Sequence, residues 1–118
     1  MNPQQIDTLI LDDDGYPTDE ALKMLEEWDF LKHPFQDFVA LLTDVWHWDF
    51  KRKTWKDGTI KLRLATGGWS GNEAVIAALR GNFIFWSLCW DKSKRGGAYW
   101  FTIEPAFQRM WKDEPATD

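Results

Sequence analysis

Cysteine and histidine are scarce in this chain. Its 118 residues include one cysteine, Cys89, and two histidines, His33 and His47. A lone cysteine cannot form an intramolecular disulfide, and these three side chains cannot complete a tetrahedral zinc site. The sequence therefore predicts no disulfide, no metal centre and no bound cofactor, and it fits a reducing compartment.

Long apolar runs are also missing. The chain has no stretch of about 18 apolar residues, and its N-terminus shows neither a signal peptide nor a lipidation motif. We therefore expect a cytoplasmic protein with no membrane association. The length predicts a single domain over residues 1–118, with residues 1–5 and 112–118 flexible.

The chain also lacks an excess of positive charge. The net charge is −5, which argues against general affinity for nucleic acid. The charge is uneven, because residues 1–30 carry nine acidic side chains against Lys23 alone, whereas residues 51–63 carry six basic side chains against Asp57 alone. These two regions are predicted either to face each other or to form surfaces of opposite charge.

Aromatic side chains, in contrast, are abundant. The chain has nine tryptophans and eight phenylalanines. Each buried ring covers about 150–250 Å² of apolar surface. We expect more aromatic surface than one small core can hold, so some rings should lie on the surface.

Residues 59–82 combine a strand, a glycine-rich loop and a helix. Residues 59–65 alternate apolar and polar side chains, which is typical of a strand with one buried face. Ser70 and Glu73 have the spacing of a capping box and predict a helix start. Gly81-Asn82 predicts the helix end, because both residue types tolerate a left-handed backbone.

The apolar run Phe83–Trp90 fits either a strand or a buried helix, since periodicity cannot separate the two in a short segment. Its aromatic content and the turn signal at residues 94–97 favour a strand. That strand would form a hairpin with residues 98–104.

The N-terminal half predicts a helical pair. Thr18 is the expected N-cap of the first helix, whose outer face would carry Glu20, Glu26 and Glu27. Pro34 is the expected first residue of the second helix. At the two ends of the domain, residues 6–11 would form either an edge strand or a tucked N-terminal segment, and residues 107–111 one helical turn or two.

The first hairpin follows the helical pair. Residues 46–50 alternate like a strand, and Asp57-Gly58 is typical of a tight turn. The predicted order is α-α-β-β-α-β-β, an α+β fold in which a helical pair precedes two antiparallel hairpins separated by a helix. About four strands would carry the helices on one face.

Three segments resemble a group of small bacteriophage and prophage proteins: TGGWSGNE at residues 66–73, FWSLCW at 85–90 and SKRGGAYWF at 93–101. The similarity covers the C-terminal half, and residues 14–29 match more loosely. The resemblance implies a phage gene acting in a bacterial cytoplasm, and it carries no activity with it.

The glycine-rich loop is a candidate binding site. Free N–H groups at a helix N-terminus attract anions, and glycines let a phosphate come close. Basic side chains of the later turn would add countercharge, whereas Glu73 would oppose it. The predicted site, with a purely architectural loop as the alternative, comprises Gly67, Gly68, Trp69, Ser70, Gly71, Glu73, Lys94 and Arg95.

Two patterns suggest catalysis but are incomplete. Asp12 and Asp14 follow an apolar run and resemble, at this one point, the nucleophile loop of haloacid-dehalogenase-type phosphatases. Those enzymes need a parallel sheet, which the predicted hairpins do not supply. Residues 68–72 depart from the G-x-S-x-G motif, because Asn72 occupies its last position. The sequence therefore predicts no catalytic residues.

These observations favour a non-enzymatic phage-type protein that binds a host or phage protein. Its candidate acidic interface is Glu20, Glu26 and Glu27. The phage resemblance suggests an inhibitor of a host defence system such as CRISPR, and surplus aromatic side chains suggest a homodimer. The alternative is a small nucleotide- or anion-binding protein that uses residues 67–73.

Overall fold

A computed structural model describes residues 10–110 of the chain. The predicted α+β fold is confirmed, with one additional helix before the second hairpin and another after it. In chain order the elements are α1 (Asp19–Glu26), α2 (Phe35–Val45), β1 (Phe50–Thr54), β2 (Ile60–Ala65), α3 (Ser70–Gly81), α4 (Phe83–Cys89), β3 (Trp90–Lys94), β4 (Ala98–Ile103) and α5 (Pro105–Gln108).

The helical pair forms where the sequence predicts it. The Thr18 hydroxyl accepts a hydrogen bond from the Ala21 N–H at 3.2 Å, so Thr18 is the N-cap of α1. Helix α2 buries its apolar stripe, including Phe38 and Leu42. Pro34 precedes α2 as its N-cap, with φ −60° and ψ 142°, and is not its first helical residue.

The four strands form one antiparallel sheet in the order β1-β2-β4-β3. The first hairpin turns at Asp57-Gly58, where the Asp57 carboxylate accepts the Thr59 N–H at 2.9 Å. This hydrogen bond lowers the pKa of Asp57. The strand predicted at residues 46–50 is misplaced, since β1 begins at Phe50 and Trp48 has φ 108°, which is incompatible with an extended strand.

Helix α4 corrects the strand predicted at residues 83–90. The Asn82 side chain accepts the Phe85 N–H at 3.1 Å and so caps a new helix directly after α3. Asn82 itself has φ −83°, so α3 does not end in the expected left-handed residue. Phe85 and Cys89, four positions apart, face the core. The first strand of the hairpin is Trp90–Lys94.

The core lies between the helices and one face of the sheet. Phenylalanines from both layers meet there, with Phe30 centred 4.8 Å from Phe38 and Phe85 centred 5.2 Å from Phe101. Other aromatic rings stay outside, as the composition predicts: Trp48, Trp55, Phe83 and Trp90 are exposed. The surplus aromatic side chains are thus available for binding.

At the N-terminal end, Leu11 pairs with Pro17 in an isolated antiparallel bridge. Most of the edge strand or tucked segment predicted at residues 6–11, and the flexible ends predicted at 1–5 and 112–118, lie outside the described residues. Helix α5 overlaps the helical segment predicted at 107–111 but starts earlier, at Pro105, and residue 111 lies outside the described residues. Within residues 10–110 no helix has both the length and the apolarity to cross a membrane.

Candidate binding surfaces

The loop before α3 has the backbone conformation that its glycines suggest. Gly67 and Gly68 have φ values of +64° and +78°, a region that side chains other than glycine rarely adopt. The Thr66 hydroxyl accepts the Gly68 N–H at 3.2 Å, and the Thr66 N–H donates to the Gly97 carbonyl at 3.0 Å. The loop therefore packs beside the β3–β4 turn.

The predicted capping box at Ser70 and Glu73 is wrong. A capping residue precedes the helix, but Ser70 is already the first residue of α3. Trp69 occupies the cap position with φ −81° and ψ 129°, and its side chain makes no capping hydrogen bond. The Ser70 hydroxyl instead lies 3.5 Å from the hydroxyl of Tyr16.

Asn72 organises this region, and sequence reasoning missed it. It is fully buried, its carboxamide oxygen accepts the His47 N–H at 3.0 Å, and its NH₂ donates to the Thr66 carbonyl at 3.1 Å and to the His47 carbonyl. The sequence held a usable signal, because Asn72 shares the buried helix face with Val75, Ile76 and Leu79 at i+3, i+4 and i+7. A polar residue on that face needs internal hydrogen-bond partners.

Aromatic rings surround the candidate loop. Trp69 is centred 4.7 Å from Tyr16 and 5.0 Å from His47. The ring of Trp48 lies over Gly67, where an added Cβ would come within 3.0 Å of it. A hollow of about 270 Å³ opens here and is lined by His47, Trp48, Thr66, Gly67 and Trp69.

The β3–β4 turn carries the basic part of the predicted anion site and adjoins the loop, but no polar contact joins its basic side chains to the loop. Within residues 10–110, no hydrogen bond or ion pair joins Lys94 or Arg95 to residues 67–73. The Lys94 ammonium lies 5.7 Å from the centre of the Trp100 ring, over the sheet. Three of the five residues that line the hollow beside the loop are aromatic, His47, Trp48 and Trp69, and none is a lysine or an arginine.

A second candidate surface lies on the helical side. Three hollows there adjoin through shared residues: the first and second share Glu27, Trp28 and Asp29, and the second and third share Met110. Their volumes are about 650, 250 and 400 Å³. We call these three neighbouring hollows together the α1–α4 furrow; it is lined by Glu20, Lys23, Met24, Glu27, Trp28, Asp29, Phe30, Leu31, His33, Ile84, Leu88, Glu104, Ala106, Phe107 and Met110.

The floor of the furrow is apolar and its rim is acidic. Glu20, Glu27, Asp29 and Glu104 line it, whereas Lys23 is the one lysine or arginine among its lining residues. Trp28 forms part of two hollows, and its indole N–H is shielded from solvent without a hydrogen-bond partner among the described residues. An unpaired buried donor costs about 1–3 kcal/mol.

The three glutamates of the predicted acidic interface do not all lie on one surface. Glu20, Glu26 and Glu27 are all exposed. Glu20 and Glu27 line the furrow, but Glu26 does not. The Glu26 carboxylate instead packs against α3, where a Cβ added at Gly81 would lie 2.7 Å from its Oε2. Adjacent glutamates on α1 thus face different surroundings.

Asp12 has structural hydrogen-bond partners, and the one cysteine, Cys89, is buried. One Asp12 carboxylate oxygen accepts the N–H groups of Asp14 and Tyr16 at 2.9 and 3.0 Å, which stabilises the acidic turn. Burial, with smaller contributions from the charges of Asp91 and Glu104, raises the pKa of Cys89 to about 12. The Cys89 thiol therefore stays protonated and is not a nucleophile at neutral pH.

Metal binding has no obvious site in the described part of the chain. Residues 10–110 contain no cluster of three or more histidine, cysteine or acidic side chains that could hold an ion. The two surfaces described above therefore remain the candidate binding sites.

Comparison with known proteins gives no further guide. No protein family, curated protein or solved structure is significantly similar to this chain. The functional argument therefore depends on the geometry of the two surfaces, and the resemblance to bacteriophage proteins stays a prediction.

Proposed function

We propose that the chain is a non-enzymatic binding protein whose α1–α4 furrow takes a basic, amphipathic segment of a partner protein. The carrying observation is an exposed apolar strip along the furrow. Leu88, Leu31 and Ile84, which line it, are 62%, 60% and 46% exposed. Contiguous apolar patches on a protein surface mark interaction sites more often than chance exposure does.

The charge of the furrow supports a basic partner. Four acidic side chains line an apolar floor, and amphipathic helices bind such grooves by placing their apolar face inside and their charged face at the rim. Rim charges mainly accelerate association and select the partner, whereas buried apolar contacts slow dissociation. Both features favour a cationic helix or extended segment.

The phage resemblance suggests where to find that partner. Proteins of the bacterial host, effectors of its defence systems among them, are the first to test. A non-enzymatic role is supported by the Asp12 carboxylate, which is used in its own turn, and by the protonated, buried thiol of Cys89.

A model peptide tests the furrow without knowledge of the natural partner. The probe is a short, fluorescein-labelled amphipathic helix of leucine and lysine, and the control is its leucine and glutamate counterpart. Fluorescence polarisation at low and high salt should show binding of the lysine peptide, weakened by salt, and little binding of the glutamate peptide.

Variants locate the binding site. Leu31→Ser combined with Leu88→Gln should weaken binding at all salt concentrations, because it removes apolar area from the furrow without changing charge. Glu20→Gln with Glu27→Gln should flatten the salt dependence, whereas Glu26→Gln, the matched control outside the furrow, should leave it unchanged. Equal binding by all variants contradicts the proposal. So does a wild-type dimer that the Leu31 and Leu88 changes dissociate, since a second copy would then fill the furrow.

A further inference from the structure

The outer face of the sheet is a second, oppositely charged surface. Strand β2 buries Ile60, Leu62 and Leu64 against the helices, so Lys61 and Arg63 point to the other side. Residues directly opposite each other on neighbouring strands share a face. The strand pairing therefore places on the outer face Lys51, Lys53, Lys61, Arg63, Lys92, Lys94, Trp100 and Thr102.

Acidic side chains neutralise this face only in part. Asp49 lies 2.7 Å from Arg63 and 3.8 Å from Lys51, and Asp91 lies 3.9 Å from Lys61. Within residues 10–110 no ion pair involves Lys53, Lys92 or Lys94. Three ammonium groups on one face are therefore available to an anionic ligand.

An indole ring lies among these cations. The Arg63 guanidinium and the Lys92 and Lys94 ammonium groups lie 5.5, 4.8 and 5.7 Å from the centre of the Trp100 ring. At the β1–β2 turn, Lys53 lies 4.5 Å from the exposed Trp55 ring. Cations and aromatic rings thus occur together at two places, and cations recur at every second residue along a strand, about 7 Å apart.

We propose that this sheet face binds single-stranded nucleic acid, with phosphates on Lys53, Lys92 and Lys94 and bases stacked on Trp100 and Trp55. Proteins that bind single strands without sequence preference combine a cationic track with aromatic stacking platforms. An acidic protein would use the cations but has no need of the ring faces. A duplex keeps its base faces stacked inside and offers none to an indole.

The net charge of −5 does not oppose this binding at short range. The acidic side chains that line the α1–α4 furrow lie in the helical layer on the other side of the sheet. Because the Debye length is about 8 Å at physiological salt, while the molecule is 24 Å across in its thinnest direction, the two faces act largely independently.

Fluorescence anisotropy with a labelled short oligothymidylate tests the proposal. Three phosphate contacts on a single strand predict a slope of log affinity against log salt of about −2. Each contact contributes about fivefold at 0.1 M salt, so Lys92→Gln with Lys94→Gln should weaken binding roughly 25-fold. Lys32→Gln, which removes an exposed lysine outside the sheet, should have little effect.

Two comparisons separate nucleic acid from other polyanions. Trp100→Leu should weaken binding of oligothymidylate but not of a labelled polyglutamate of similar length. The lysine pair keeps the proposal testable if Trp100→Leu does not fold. Equal affinity for polyglutamate, preference for a duplex, no binding at low salt, or binding that survives the paired lysine change would each overturn the proposal.

Discussion

At the scale of single residues, Asn72 connects the α2–β1 segment to the loop before α3. Asn72→Ala would leave the buried Thr66 carbonyl and the partly buried His47 backbone groups without their partner, and should cost about 2–4 kcal/mol of unfolding free energy. Ser70→Ala, two positions away on the surface, should change stability by less than about 0.5 kcal/mol. Urea unfolding measures both, and equal losses would contradict the assigned roles.

Gly67 and Gly68 differ in their surroundings but not in the sign of φ. An added Cβ meets the Trp48 ring at Gly67 and nothing within 4 Å at Gly68. Gly67→Ala should therefore lower the melting temperature more than Gly68→Ala, which costs only the backbone conformation. In a Trp48→Ala background the two substitutions should cost the same. A difference that persists would exclude the indole contact as its cause.

Cys89 should make stability depend on alkaline pH. An unfolded thiol ionises near pH 8.5, but burial raises the pKa of Cys89 to about 12 in the folded chain. The stability conferred by the protonated thiol is complete below the unfolded pKa and is lost as pH rises towards 12. The melting temperature should fall more steeply above about pH 9 in the wild type than in Cys89→Ala. Parallel curves would contradict the raised pKa.

At the scale of elements, local signals predicted what depends on local chemistry. The Thr18 cap, the Asp57-Gly58 turn and the alternation of β2 are confirmed, because each is decided within a few residues. Helix α4 could not be predicted in this way. An apolar run of eight residues fits either a strand or a helix, and the choice is made by the Asn82 cap and by packing of Phe85 on Phe101.

The candidate surfaces were less predictable than the elements. The acidic face of α1 follows from helical periodicity, but the apolar half of the furrow needs α4 beside residues 27–31, a contact distant in sequence. The burial of Asn72 could be predicted from the apolar helix face on which it lies. Its partner His47 could not, because it lies 25 residues earlier in the chain. The sequence left the relation of its two charged regions open, and strand pairing places the basic one on the outer sheet face.

Asn82 tests how the elements are joined. Its NH₂ donates to the Leu25 carbonyl at 2.9 Å and to the Trp28 carbonyl at 3.3 Å, while its oxygen caps α4. Asn82→Ala should cost about 2–4 kcal/mol, because it loses the cap and the link to the end of α1. Asn82→Ser keeps a capping oxygen and should lose less. If both substitutions unfold at the same urea concentration, the cap contributes nothing.

At the scale of the whole molecule, the sheet lies between two surfaces that differ in charge and in composition. The helical side combines acidic side chains with an apolar furrow, and the outer sheet face combines cations with indole rings. A net charge averaged over the chain describes neither side. The central claim is that the α1–α4 furrow is the protein-binding surface.

Amide NMR of the labelled protein titrated with the leucine and lysine peptide tests that claim most directly. The account predicts shift changes concentrated at residues 27–31 and 84–88, which border the furrow, with Trp100 and its strand neighbours unaffected. The Asn72 region should also stay unchanged. Shifts concentrated at residues 66–72 or on the outer sheet face, or no shifts with peptide in excess, would contradict it.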